Sequence, residues 1–374
     1  MIAEAAPPAW QWLFVAVLAA VGARLFTFIV SQLVGPGPDT APKARRGIEC
    51  AFVTAAVALW WWENCRRGEL PAALASDRVA DQMLEARYIA HVVLMTLLAA
   101  ATWIDFRHRV IPDCITVPGV LLGLMATTVE PATLLPVGHE VMRSYAAPLV
   151  APDLLGAFGP LHGLPPPAWL ASWPAGTGLA AAIAVVVLWW WVCTAPAEPA
   201  GDAPHAQSIS LDPRWIVLLC SVGLTGTAWW RGGDHWLGLL ASLGGMLVGA
   251  GLVWLTREGA SRALGQEAMG LGDVTLMAMV GAWLGWQACV LICLLAVFIG
   301  LAHGLLQVIL RRENELPFGP SLCLAAVVVI VAWQPIWERT ATTFERPGEL
   351  ALVAAAVVVL TAASLFVLRR IRGG

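Results

Sequence analysis

Long apolar runs constrain this chain more than any other feature of its sequence. Of its 374 residues, 59% are apolar and 13% are charged, whereas about a quarter of the residues in a soluble domain carry charge. The mean hydropathy is +0.74. This composition excludes a soluble enzyme, a nucleic-acid-binding protein and a disordered chain, all of which are more polar. We therefore predict an all-α, polytopic transmembrane helical bundle in a lipid bilayer.

Apolar runs near the length of a bilayer crossing recur about eleven times along the chain. The expected spans are 9–31, 48–64, 87–106, 110–128, 177–194, 214–230, 236–256, 272–285, 287–310, 319–336 and 349–368. Most of the 20 tryptophans fall near the ends of these runs. An amphipathic indole prefers the membrane interface, so the tryptophans support the boundaries of the spans.

The distribution of Lys and Arg predicts the orientation of the bundle. The loops on the side that follows Asp105 carry more Lys and Arg than the opposite loops and are also shorter. The positive-inside rule therefore favours an N-terminus outside and a C-terminus inside, with the loop after Asp105 in the cytoplasm.

The eight cysteines do not suggest a metal or redox site. No two of them form a C-x-x-C pair, the spacing that is typical of zinc and thiol–disulfide motifs. We expect no metal and no organic cofactor.

Two aspartates stand out because ionisable residues at membrane depth are rare and usually functional. Asp105 ends the third expected span and Asp273 opens the eighth, and on the predicted topology both lie at the cytoplasmic boundary. Two carboxyl groups in one low-dielectric site share a proton. The ionised group can then deprotonate water while the protonated group polarises a peptide carbonyl. This is the chemistry of an aspartic protease.

The residues around the aspartates fit a site at the membrane boundary. Pro112 ends the turn after Asp105, and Asp113 can cap the next helix. Asp113 could also be a third catalytic acid, although the capping role is favoured. Glycines flank the second aspartate, where they allow a close approach of the backbone; they are Gly270 and Gly272. The helical pattern is interrupted at the beginning of the tenth span by Pro317, Phe318, Gly319 and Pro320.

Three ordered blocks of sequence resemble the type IV prepilin (leader) peptidases, a family of GxGD-type intramembrane aspartyl proteases. The blocks are Asp105 with Ile111-Pro112-Asp113-Cys114-Ile115-Thr116, then Glu267-Ala268-Met269-Gly270-Leu271-Gly272-Asp273, and then Pro317-Phe318-Gly319-Pro320. The resemblance implies that Asp105 and Asp273 are the catalytic pair. It also implies that the substrates are type IV prepilin or pseudopilin precursors, which lose a short basic leader on the cytoplasmic side of a prokaryotic inner membrane. Glu267 is then either a substrate contact for that leader or a surface charge.

The resemblance suggests a division of the chain into a core and additions. The expected parts are an N-terminal membrane region at 1–86, a first core segment at 87–128, an insertion with two spans at 129–235, a second core segment at 236–336 and a C-terminal span with a basic tail at 337–374. Six spans would form the protease core. The sequence leaves the oligomeric state open.

The chain departs from the family pattern at two points. Bifunctional members of the family carry a cysteine-motif zinc domain after the first span, whereas residues 32–47 contain no cysteine. We therefore expect neither a zinc site nor methyltransferase activity. The family usually has Lys two residues after the second aspartate, where this chain has Thr275.

Two other functions compete with the leader peptidase. A presenilin-like GxGD protease is disfavoured because Asp105 follows Ile rather than Tyr and no Pro-Ala-Leu triplet occurs. A catalytically silent scaffold or transporter is favoured by Thr275 and the insertions, and disfavoured by the presence of both aspartates.

Overall fold

The computed structural model describes residues 9–34, 42–66, 68, 80–136, 176–194, 213–265, 269–309, 318–344 and 346–373. Helices make up almost all of these residues, and the described ranges contain no strand. The helices are α1 (Ala9–Val34), α2 (Pro42–Trp60), α3 (Ala80–His108), α4 (Asp113–Val129), α5 (Gly176–Thr194), α6 (Pro213–Arg231), α7 (Gly233–Leu264), α8 (Leu271–Leu284), α9 (Trp286–Ile309), α10 (Gly319–Val331), α11 (Trp333–Phe344) and α12 (Pro347–Gly373). The predicted all-α polytopic bundle is confirmed.

Five helices are long and apolar enough to cross a membrane by themselves, judged by length and composition alone. They are Trp10–Val34, Leu84–His108, Gly176–Cys193, Gly233–Arg262 and Trp286–Gln307. The helices α10 and α11 would add a sixth if they formed one bent span. Shorter apolar helices occur at Asp113–Val129, Leu271–Leu284 and Gly348–Ser364. The eleven expected spans thus include several whose described helices are shorter than a full crossing.

The expected span at 319–336 does not continue as one helix. The chain bends by 94° between α10 and α11. The segment after the bend is amphipathic: Trp333 and Trp337 are buried and stacked with ring centroids 5.3 Å apart, whereas Glu338 and Arg339 on the other face are exposed. A helix with one polar face is more stable along an interface than through a bilayer core, which accounts for the bend.

The centre of the bundle is the pair α7 and α8, whose backbones touch. A Cβ on either Gly245 or Gly281 would collide with the carbonyl oxygen of the other glycine. Ser242 strengthens this contact, because its hydroxyl donates to the carbonyl of Ala282 at 2.6 Å. Small residues permit such an approach, and hydrogen bonds between helices hold it in an apolar medium.

The remaining helices pack around this pair. α4 lies against both α7 and α8, and its position is fixed by the Trp283 indole N–H, which donates to the carbonyl of Gly119 at 2.9 Å. α9 contacts α7, α8 and α10, and α3 contacts α4 and α10. α1 and α2 pack on each other and on α3, α5 and α6 pair beside α7, and α12 covers α7 and α9.

A buried polar contact joins the α2 side of the bundle to α3. The Nδ1 atom of His91 lies 2.8 Å from the carboxylate of Glu63, which belongs to the π-helical turn Trp61–Cys65 that follows α2. Both side chains are fully buried. His91 and Asp105 are on the same helix, and the rise of about 1.5 Å per residue separates them by about 20 Å. This pair therefore lies far from Asp105.

We expect Gly245→Ala to destabilise the bundle by about 1–3 kcal/mol, because the added methyl group forces apart two backbones that cannot yield locally. The measurement is the melting temperature of the purified protein in detergent. Gly251→Ala is the matched control, since Gly251 is on the same helix and a Cβ there meets nothing within 4 Å. That variant should be as stable as the wild type or slightly more so. Equal melting temperatures for Gly245→Ala and the wild type would contradict the close contact.

Candidate active site

Asp105 lies in the last turn of α3, where it is buried at 5% exposure. The helix ends because Arg109 adopts a left-handed conformation with φ +55°, and its N–H donates to the carbonyl of Asp105 at 2.8 Å. This is the hydrogen bond of an αL helix terminus, although glycine usually occupies the position. The chain then reverses through an extended Pro112 into α4. The aspartate is thus held at a tightly terminated helix end.

Asp273 is the third residue of α8 and is buried at 7% exposure. Its carboxylate accepts a hydrogen bond from the N–H of Gly270, the N-cap residue of the same helix. The arrangement is half of a capping box, in which an acidic third residue reaches back to the N-cap amide. The first turn of the helix therefore fixes the direction of this side chain.

The structure brings the two aspartates together although they are far apart in the sequence. Their carboxyl groups lie close enough to interact electrostatically. The buried thiol of Cys323, on α10, also lies close enough to interact electrostatically with both of them. Three helix ends thus meet around two carboxyl groups: the end of α3 and the beginnings of α8 and α10.

Two glycines make this convergence sterically possible. A Cβ on Gly319 would lie 2.5 Å from Oδ2 of Asp105, so the beginning of α10 rests directly on that carboxyl group. A Cβ on Gly272 would lie 3.0 Å from Cβ and 3.2 Å from the carbonyl oxygen of Ile111, in the turn between α3 and α4. Any larger residue at either position would push a helix end away from the site.

The other expected site residues lie around this centre. Pro112 is half-buried in the α3–α4 turn and Asp113 is exposed at the first position of α4. Gly270 is exposed, Phe318 is half-buried and Pro320 is buried. Glu267 and Pro317 lie outside the described residues.

The structure also adds contacts that the motif analysis did not identify. The Thr275 hydroxyl donates to the carbonyl oxygen of Gly272 at 3.1 Å and accepts a hydrogen bond from the Thr116 hydroxyl at 3.3 Å. Cys323 is part of an apolar run, and nothing in the surrounding sequence indicated that it lies near the two aspartates. The sequence distinguished Thr275 only by its position, where the family usually has Lys.

The described residues contain no group of three or more His, Cys, Asp and Glu side chains arranged to hold a metal ion. The chemistry available at this site within those ranges is that of two carboxyl groups, hydroxyls, one thiol and backbone amides.

Comparison with known proteins points to one family. The model of the type IV leader peptidase family matches residues 92–159 and 206–305. The chain is 34% identical over 115 residues to a prepilin leader peptidase/N-methyltransferase of Aeromonas hydrophila, a match that covers 29% of this chain and 40% of the relative. A protein of the same name from Pectobacterium carotovorum subsp. carotovorum is 40% identical over 106 residues, covering 25% and 38%.

A third such relative, from Pseudomonas aeruginosa, is 36% identical over 118 residues, which are 29% of this chain and 39% of that protein. The chain thus spans about two fifths of the length of the curated relatives that it matches. No solved structure matches the chain.

We expect Gly319→Ala to lower the melting temperature, because its methyl group would displace the Asp105 carboxyl group. Combining it with Asp105→Ala removes the obstructing oxygen, so the two substitutions should be non-additive by about 0.5–3 kcal/mol. Gly348→Ala serves as the control, since a Cβ at Gly348 meets nothing within 4 Å. Strictly additive effects of the first two substitutions would contradict the contact between Gly319 and Asp105.

Proposed function

Residues 92–159 and 206–305 match the model of the type IV leader peptidase family, and from this premise we propose that the chain is a membrane aspartic endopeptidase of that family. Its substrates are type IV prepilin or pseudopilin precursors, from which it removes the short basic leader. The observation that carries the proposal is the meeting of two buried carboxyl groups, Asp105 and Asp273, at the junction of three helix ends.

The proposed reaction follows from the pairing of the two carboxyl groups. Two neighbouring carboxylates in an apolar site repel each other, so the pair holds one proton between its members. The ionised group takes a proton from a water molecule, whose oxygen attacks the scissile carbonyl carbon. The protonated group meanwhile donates to the carbonyl oxygen. When the tetrahedral intermediate collapses, the C–N bond breaks, the leaving amine takes the proton that came from water, and a hydroxyl of the intermediate returns a proton to the other carboxylate, which restores the single shared proton. The pair therefore acts as one unit.

The neighbouring residues have supporting roles in this mechanism. The Gly270 amide orients the Asp273 carboxylate, and the glycine at the beginning of α10 leaves room beside Asp105. The exposed Gly270 and Leu271 and the half-buried Phe318 lie at the rim, where an extended substrate segment can reach the carboxyl groups. Glu267 and Pro317 remain proposed substrate-contact and site-shaping residues on the strength of the motif resemblance.

We further propose that the site faces the cytoplasm of a prokaryotic inner membrane. The support is the excess of Lys and Arg in the loops on the side of Asp105. The protease core consists of the six helices α3, α4 and α7 to α10. Helices α1, α2, α5, α6 and the C-terminal α12 are then additions around that core.

The proposed activity is limited to peptide cleavage. The relatives are named both as leader peptidases and as N-methyltransferases, but residues 32–47 contain no cysteine that could form the zinc motif linked to methylation. Mass spectrometry of a prepilin processed by the purified protein with a methyl donor should therefore give an unmodified N-terminus. A product heavier by one methyl group would contradict this limit.

We expect Asp105→Asn and Asp273→Asn each to lower the rate of leader removal by about 10²- to 10⁴-fold, the usual contribution of a general acid or base. The assay is the cleavage of a co-purified prepilin, with the cut identified by the mass of the product. Asp234→Asn is the matched control, because Asp234 is an exposed carboxylate in the first turn of α7.

The outcomes separate the competing functions. Cleavage at the wild-type rate by either aspartate variant would contradict the aspartic mechanism. Absence of prepilin cleavage by the wild type, with cleavage of other membrane-spanning substrates, would favour the presenilin-like protease. No cleavage of any substrate, with solute transport unaffected by either variant, would favour the transporter.

A further inference from the structure

Arg257, on α7, makes a hydrogen bond to the segment that leads into α8. Its Nε–H donates to the carbonyl oxygen of Met269 at 2.9 Å, and its side chain is half-buried. Met269 lies two residues before Leu271, the first residue of α8. The bond therefore joins the last two turns of α7 to the entry of the helix that carries Asp273.

The position of Met269 explains why its carbonyl takes a donor from another helix. In an α-helix the first carbonyl to accept an intrahelical bond is that of the N-cap residue, which here is Gly270. The Met269 carbonyl precedes it, and a buried backbone carbonyl outside a helix has to find a donor elsewhere. The Arg257 guanidinium supplies a charged donor, which makes a stronger hydrogen bond than a neutral one.

The side chain of Met269 is held against the same helix. It is buried at 6% exposure and lines a mostly apolar cavity with Val253 and Thr256 of α7, together with residues of α9 and α12. Between Met269 and Asp273 lie three residues, two of which are glycines, the residue type with the greatest backbone freedom. Met269 is therefore a fixed point from which the chain enters α8.

We propose that Arg257 is a positioning residue for Asp273, because it anchors the entry of α8 and so holds the catalytic carboxyl group in its orientation for reaction. This inference rests on the proposed function of the Asp105–Asp273 pair. Without the bond, the entry segment has several orientations, and a small displacement of a catalytic group is enough to slow a reaction strongly. In this role Arg257 acts through the backbone and makes no contact with the substrate.

A bond of the same kind at the other end of the bundle provides a comparison. The Nε–H of Arg87, on α3, donates to the carbonyl oxygen of Ala132 at 3.1 Å. Arg87 and Asp105 are on the same helix, and the rise of about 1.5 Å per residue separates them by about 27 Å. Loss of this bond should destabilise the bundle without displacing the catalytic pair.

The test compares four variants with the wild type. Arg257→Met removes the donors and keeps an unbranched apolar stem, whereas Arg257→Lys restores the charge and a donor without the planar fork. Arg87→Met removes the comparison bond. Arg262→Met is the surface control, because Arg262 is an exposed residue of α7 that pairs with Glu258 of the same helix at 2.8 Å.

In the prepilin cleavage assay, we expect Arg257→Met to lower kcat by about ten- to a hundredfold, the range of a hydrogen bond to a charged group, while KM changes little. Arg257→Lys should recover part of kcat, and Arg262→Met should cleave as the wild type does. Arg87→Met should have a lower melting temperature but, at a temperature where it is folded, a wild-type kcat.

Four results would overturn the positioning role. They are a wild-type kcat for Arg257→Met, a raised KM with unchanged kcat for that variant, no recovery by Arg257→Lys, and an equal loss of kcat in Arg87→Met. A raised KM alone would show a contact with the substrate, and an equal loss in Arg87→Met would show general destabilisation.

A second measurement does not depend on cleavage. Hydrogen exchange of the purified protein in detergent reports local opening of helices. Arg257→Met should speed exchange in the first two turns of α8 and leave α3 unchanged, and Arg262→Met should match the wild type in both helices. Wild-type exchange in α8, or an equal increase in α3 and α8, would overturn the anchoring.

The proposed function fails by a different result, which is wild-type cleavage by the Asp105→Asn or Asp273→Asn variant. The exchange measurement is independent of that result, because it follows the entry of α8 and not the reaction.

Discussion

The burial of two carboxyl groups in one apolar site is the constraint on which the rest of the structure depends. A charged group in a low-dielectric medium is costly unless it is neutralised or hydrogen-bonded. Here the two groups share a site, one of them accepts a hydrogen bond from a backbone amide, and both lie at helix ends. Three helix ends must therefore converge, and the packing of the bundle makes this possible.

The convergence of the three helix ends depends on glycines, which have no side chain beyond a hydrogen atom. The contact of Gly245 with Gly281 lets α7 and α8 touch along their backbones, and Gly319 and Gly272 let the beginnings of α10 and α8 close on the α3–α4 turn. Each contact involves backbone or carboxyl atoms that cannot move aside easily. Gly272 in the second sequence block and Gly319 in the third thus have a direct steric explanation, since a methyl group at either position would separate elements that form the site.

Much of the site could be predicted from the sequence because its signals are local. A carboxylate at the edge of an apolar run is rare enough to be noticed, and Asp105 and Asp273 are both of this kind. The contacts of Thr275 and Cys323 could not be predicted, because neither residue is unusual in an apolar helix. Their importance comes from neighbours on other helices. The bend after Val331 was also missed, since hydropathy averaged over a span conceals the amphipathic pattern of α11.

The sequence by itself determined that this protein is a membrane-embedded helical bundle and that two carboxyl groups, those of Asp105 and Asp273, lie at the ends of apolar runs. Hydropathy and helix length act within single segments, so they can be read along the chain. The tertiary structure decided that those carboxyl groups meet, that Gly319 rests on Asp105, and that Thr275 bridges two helices. These relations depend on which non-neighbouring helices pack together and how closely their backbones approach, which is a property of the packed bundle rather than of any one segment.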